Sequence, residues 1–105
     1  MRRGEVWWTD LGPPAGRRPV LLLSCDEAYA VRSLVIVAPV TTRIRGIRSE
    51  VQLGPEEGIP KACVANLDTI TTIARSSLTE RLAVLKLDKL QSVDAAIRFA
   101  LGMDR

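Results

Sequence analysis

The sequence predicts an α+β fold: a small, strongly curved antiparallel sheet or open barrel, closed by one C-terminal helix. Two observations carry that expectation. About six short apolar or alternating runs, cut apart by Gly- and Pro-containing turns, fill the first 85 residues. A single stretch, Asp88–Leu101, then shows helical spacing, with Leu90, Val93, Ile97 and Leu101 along one face. At 105 residues and 47% hydrophobic, the chain reads as one domain over residues 1–105, with a core of its own.

Gly4–Leu11 reads as the first strand, with Val6 and Trp8 on one face and Glu5, Trp7 and Thr9 on the other, so one Trp belongs to the core. Residues 12–17, GPPAGR, form a turn-rich loop able to cover a site. Arg18–Ser24 is the second strand. Its continuous run Val20–Leu23 calls for cover on both faces, and Pro19 confines itself to the strand start or an edge. Cys25–Ser33 is a connection with a helical turn. Leu34–Ala38 is a third, buried strand that Pro39 closes. Ser49–Leu53 alternates, with Val51 and Leu53 inward. Residues 54–61 form a turn, Ala62–Asn66 is a short strand, Thr69–Ile73 is β-prone, Arg75–Ser77 turns, and Arg81–Leu85 is the last strand. Asp88 is placed to cap the helix, with Gln91 three residues on as in a capping box, and Gly102 ends it.

Composition closes several functional classes. The formal charge of +3, from 15 Lys and Arg against 12 Asp and Glu, makes the distribution of charge more telling than its total. The chain has no histidine, which removes Ser-His-Asp and Cys-His catalysis and a two-histidine nuclease. No Walker-type glycine loop is present. Cys25 and Cys63 read as buried structural thiols of a reduced chain, too few for a zinc site, so no metal or cofactor is expected. Glu5, Asp10 and three early prolines leave no apolar signal-peptide core after Met1-Arg2-Arg3, and no run approaches a membrane span.

What remains is a set of donors at strand ends. In Val35–Arg48, VIVAPVTTRIRGIR, a rigid strand gives way to Thr41, Thr42, Arg43, Arg45 and Arg48. Arg17 and Arg18 stand at the mouth of the second strand, and Asn66 and Asp68 follow a later one. If these ends converge, arginines donate in pairs to phosphate oxygens and stabilise a phosphorane, while threonine hydroxyls position it. RNA brings its own nucleophile, the 2′-OH, so orientation and charge stabilisation suffice for cleavage, with Asp68 as the candidate base. Each residue also has a plainer reading: a turn former for Asp68, a surface ion pair for Arg18, and ordinary β-propensity for Thr41 and Thr42.

These segments resemble the MazF/PemK/Kid family of toxin endoribonucleases. The resemblance rests on RRGEVWWTDL, GRRPVLLLS, VIVAPVTT, VANLDTITTI and the terminal helix ending in ALG, in that order along nearly the whole chain. It implies a CcdB/PemK-like fold related to SH3 barrels and a cytoplasmic homodimer. The implied activity is metal-independent, sequence-specific cleavage of single-stranded RNA (messenger, ribosomal or transfer) to a 2′,3′-cyclic phosphate. The implied partner is a MazE-like antitoxin whose disordered C-terminal tail lies across the RNA groove. By motif position Arg18 and Thr41 match the family's catalytic Arg and Thr. Asp68 matches an acidic position proposed as base, and Arg17, Thr42, Arg43, Arg45 and Asn66 fall where RNA contacts are expected. The chain departs from the pattern at Asn66 and Thr71, where relatives carry Arg, and in its short loop before Arg18. Two other readings are a CcdB-like gyrase poison of the same fold, which the lack of an aromatic in Leu101–Arg105 disfavours, and a barrel that binds RNA or protein without chemistry.

Overall fold

The computed structural model describes residues 1–103. Its strands are β1 (Glu5–Asp10), β2 (Arg17–Leu22), β3 (Leu34–Thr41), β4 (Glu50–Leu53), β5 (Cys63–Asn66), β6 (Thr71–Ala74) and β7 (Leu78–Val84). Helix α1 (Ala28–Val31) is a single turn, α2 (Leu87–Ala100) is the terminal helix, and short 3-10 turns occupy Pro55–Glu57, Leu67–Thr69 and Arg75–Ser77. Along the sheet the order is β4-β5-β3-β2-β1-β7, all neighbours antiparallel, with β6 also pairing β3. The curled antiparallel sheet with one terminal helix agrees with the fold class expected.

β3 is the spine, and it runs three residues beyond the strand expected from its apolar run. Its first half pairs with β6 from Leu34↔Ala74 to Val37↔Thr71, and its last two residues pair with β5 at Val40↔Ala65 and Thr41↔Val64. Pro39 therefore does not end the strand. It falls in the gap between the two sets of partners, where a missing N–H breaks no ladder bond. The sheet buries both faces of its centre. Val6, Leu21, Ala38, Val40 and Leu67 share one cluster with Val93 and Ala96 of α2. Val20, Leu22, Val35 and Val37 form a second with Tyr29 and Leu78.

β1 breaks the simple alternation read from its sequence. Its register against β7 shifts between Val6 and Trp7 and again between Trp8 and Thr9. The extra residues, Leu82 and Thr79, lie in β7, while β1 keeps an unbroken register with β2 from Val6 to Asp10. Glu5 and Val6 are both buried, Trp7 and Trp8 both half-buried, and Thr9 fully buried. Trp7 is the core tryptophan: it packs on the Val20–Leu22 cluster and donates its indole N–H to Glu5 at 2.9 Å.

The helix begins one residue earlier than its spacing suggests, so Asp88 is not the cap. Lys86 occupies that place without a side-chain bond, and Asp88 sits in the first turn, where a carboxylate favours the helix dipole. The stop is as expected. Gly102, at φ +70°, closes a Schellman motif through Gly102 N to Phe99 O (3.1 Å) and Met103 N to Arg98 O (2.7 Å). Gly4, at φ +92°, fixes the other end of the packing, since a Cβ there would meet Leu90 Cδ2 at 2.6 Å. Cys25 is exposed, contrary to the buried thiol expected, because it lies in the polar connection after β2. Cys63 is buried as expected, and burial, aided by Glu57, pushes its thiol pKa up.

Candidate phosphodiester-binding cleft

The β2–β3 pairing brings the two donor groups together. Val20 lies opposite Pro39 at the end of the β2–β3 pairing, and Arg18 and Thr41 each lie two residues beyond that pair, at the same end of the two strands. Arg17, Arg18, Thr41 and Thr42 all line one cleft of about 710 Å³. Trp8 and Leu11 from the β1 side and Thr71 and Ile73 from β6 complete its walls. The rigid parts are the strands beneath, Val20 and Leu21 on one side and Val37, Ala38 and Val40 on the other, all buried. The donors sit where those strands run out into solvent.

The arginines around this cleft differ in what they hold. The Arg18 side chain is exposed, with no hydrogen-bond or ion-pair partner among the described residues. Arg17 lies over the Trp8 ring, 4.4 Å from its centroid, and its Nη2 is 3.3 Å from Glu80 Oε1. Thr41 Oγ1 accepts from Arg43 N at 3.1 Å, which leaves its own hydroxyl proton free to donate. No carboxylate among the described residues lines the cleft, so its field is set by guanidinium groups and hydroxyl dipoles.

The other residues singled out in the sequence lie outside the walls of the cleft. Arg45 is held by Glu50: Oε1 accepts from Arg45 N (3.0 Å) and Gly46 N (2.9 Å), and Oε2 lies 3.3 Å from Arg45 Nε. Desolvation pushes the Glu50 carboxyl up. The two backbone donors and the guanidinium outweigh it and leave its pKa below the ordinary 4.5. Arg48 stacks on Phe99, 4.2 Å from the ring centroid. Arg43, like Arg18, has no side-chain partner among the described residues. Asn66 Oδ1 accepts from Asp68 N at 2.9 Å, and Asp68 Oδ2 accepts from Ser49 Oγ at 2.7 Å. Both serve the 3-10 corner after β5. Sequence reasoning left open which of Trp7 and Trp8 faces a ligand, and it did not place Thr71 at the site. The position of Thr71 depends on β6 pairing back onto β3.

A second cavity, about 270 Å³, adjoins the cleft and shares Trp8, Pro19, Val40, Thr41 and Thr42 with it. Ile59, Pro60, Lys61, Cys63 and Leu82 complete it. Among the described residues no group of three or more His, Cys, Asp or Glu side chains is arranged to hold a metal ion, and no helix is long and apolar enough to cross a membrane.

A curled antiparallel sheet with a terminal helix, carrying an Arg-Thr cleft at the open ends of two central strands, defines a half-barrel class of fold. The chain belongs to the PemK-like, MazF-like toxin family of type II toxin–antitoxin systems, which matches residues 2–101. It is 38% identical over 104 residues to the probable endoribonuclease MazF5 of Mycobacterium tuberculosis, covering 98% of this chain and 94% of that protein. It is 31% identical over 110 residues to endoribonuclease MazF2 of Mycobacterium bovis, with 96% of each covered. Among solved structures it is similar to the Mycobacterium tuberculosis toxin MazF-mt6, at TM-score 0.87 and 27% identity over 96% of this chain and 99% of that one. A mycobacterial endoribonuclease in complex with its cognate antitoxin matches at TM-score 0.87 and 28% identity, over 100% of this chain and 98% of that one.

Proposed function

We propose that this chain is the toxin of a toxin–antitoxin pair and cuts single-stranded RNA at a short sequence without a metal. The observation that carries the reading is an Arg18 without a hydrogen-bond or ion-pair partner among the described residues, lining one open cleft with Thr41 and with no carboxylate among the described lining residues. An arginine with nothing of its own to bind, fixed on a buried strand, is suited to an incoming anion.

In this reading the scissile phosphate seats between Arg18 and Thr41. The 2′-OH gives up its proton to water as its oxygen attacks phosphorus in line, the P–O5′ bond breaks, the departing 5′-oxygen takes a proton from water, and the products are a 2′,3′-cyclic phosphate and a 5′-hydroxyl. Arg18 donates to the non-bridging oxygens and gains most when the phosphorane carries its extra charge. The Thr41 hydroxyl donates to the same group and sets its orientation. Thr42 and Arg17 contact the flanking backbone, and Arg43 reaches the next phosphate from the loop after β3. The names of its relatives favour cleavage over gyrase poisoning. The same reading includes a cytoplasmic setting, a homodimer and an antitoxin whose tail occupies the same groove; likeness to a mycobacterial endoribonuclease solved with its cognate antitoxin supports the antitoxin partner.

The test is incubation of the protein with a long single-stranded RNA in EDTA beside an Arg18→Ala control, with the ends mapped. Discrete cuts ending in cyclic phosphate, absent in the control, are expected. No cutting across diverse RNAs would overturn the reading.

A further inference from the structure

The donors of the cleft account for a phosphate. They leave unplaced the base that the adjoining sugar must carry. The second cavity lies where that base would have to go, because Thr41 and Thr42 line both spaces. Its remaining walls, Pro19, Val40, Ile59, Pro60, Cys63 and Leu82, are apolar, with Lys61 as the one charged side chain among them. Such walls suit neither a phosphate nor a ribose. They suit a flat, weakly hydrated ring. Trp8 stands in the wall common to both spaces.

Trp8 is also available. Trp7 spends its N–H on Glu5 and its ring on the core. The Trp8 indole N–H has no partner among the described residues, and its ring carries only Arg17. Arg17 lines the cleft but not the smaller cavity. Its stack shows that the ring accepts a planar partner, and its ion pair with Glu80 joins side chains 53% and 68% exposed, a weak hold that an incoming ligand can exchange.

We infer that Trp8 and the apolar cavity beside it form the subsite for a nucleobase flanking the scissile phosphate, and that this subsite sets part of the sequence preference; the inference rests on the ribonuclease reading. The ring gives the stacking face, the cavity excludes water around the base, and Arg17 moves from the indole to the backbone when RNA binds.

The test has two arms. In the first, a Trp7→Phe protein, with Trp8 as its sole tryptophan, is titrated with short 2′-deoxy strands, which lack the nucleophile: four single-base strands and an abasic strand of equal length. At least one base-bearing strand should quench Trp8 emission and bind about 5-fold or more tighter than the abasic strand. In the second, Trp8→Ala should lower kcat/KM at the preferred sequence by about 5-fold or more and relax preference at one position, while Trp8→Phe, which keeps a stacking ring and the fold, should retain most of both. Strands that bind without changing Trp8 emission, emission that answers only to an apolar antitoxin peptide, or an unchanged cut profile in folded Trp8→Ala and Trp8→Phe would each overturn the inference. A protein that cuts no RNA refutes the ribonuclease reading; the titration is read apart from it, since base against abasic binding needs no cleavage.

Discussion

Two arginine-bearing regions flank the end of β3, and they differ in how their charges are satisfied. At the cleft, Arg18 faces solvent from a strand with buried neighbours and has no partner among the described residues. In the loop from residue 43 to residue 49, Arg45 is bound to Glu50 and Arg48 lies on Phe99, and Arg43, without a side-chain partner among the described residues, stands on the loop and not on a strand. The sequence gives the loop three arginines in six positions and the cleft only two, so a count of charges points to the loop. A paired guanidinium must give up its partner before it binds an anion. A free one on a rigid strand loses little. Rigidity and lack of a partner, more than charge density, mark the site.

The largest expected effect follows from that contrast. Arg18→Ala should reduce cleavage about 10²- to 10³-fold, as for loss of one preorganised transition-state donor, and leave the melting temperature within about 2 °C, since the exposed side chain makes no hydrogen bond or ion pair among the described residues. An Arg45→Ala protein assayed alongside should lose far less activity. Equal losses in the two variants would break the comparison.

Acid should act on structure before it acts on the cleft. Burial raises the Glu5 carboxyl. Hydrogen bonds from the Trp7 indole and Arg2 N, with the charges of the N-terminus and Arg81, outweigh this and hold its pKa below 4.5. Glu50 is lowered too. A carboxylate lowered in the folded state binds protons less readily than it does unfolded. Its stabilisation is complete above the ordinary value and is lost as pH falls through the folded one. Melting temperature should therefore be flat near neutrality and fall below pH 4.5. Glu5→Gln should lower the plateau and soften that acid branch. A curve superimposable on the native one would remove Glu5 from the account.

Much of this was legible beforehand, and the parts that were not share a cause. The order of strands, the terminal helix and the roles of Val51 and Leu53 follow from local periodicity. So does the isolation of Arg18 and Thr41 as strand-end donors, which antiparallel pairing then brings together. The length of β3, the aim of Trp8 and the place of Thr71 depend on partners distant in sequence. Pro39 reads as a terminator until the gap between β6 and β5 is known. Asp68 and Asn66 read as strand-end polar groups in either role. Only the fold shows that they bond to each other and to Ser49.

Salt dependence sharpens the contrast within the loop. Each phosphate neutralised on a single strand contributes about 0.7 to the slope of log affinity against log salt. Arg43→Ala should flatten the slope by about that amount. Arg45→Ala should change it by less than half as much, because Glu50 already neutralises Arg45. Glu50→Gln should release Arg45 and steepen the slope. Equal slopes for the Arg43 and Arg45 variants would show that the ion pair opens whenever RNA binds.

The smallest expected effect concerns Asp68. Its carboxylate takes a hydrogen bond from Ser49, its N–H goes to Asn66, and it lies outside the residues that line the cleft. Asp68→Asn keeps an oxygen for Ser49 and should lower cleavage less than about 5-fold, well short of the 10²-fold or more typical of a lost general base. The pH–rate profile separates the cases, because a base that takes the 2′-OH proton would leave the acid limb of kcat/KM when replaced by an amide, whereas a turn support would not. A large loss with that limb abolished would bring Asp68 to the reacting hydroxyl. It would also mean that the cleft of a single chain is only part of the site, with the carboxylate supplied across a symmetric partner.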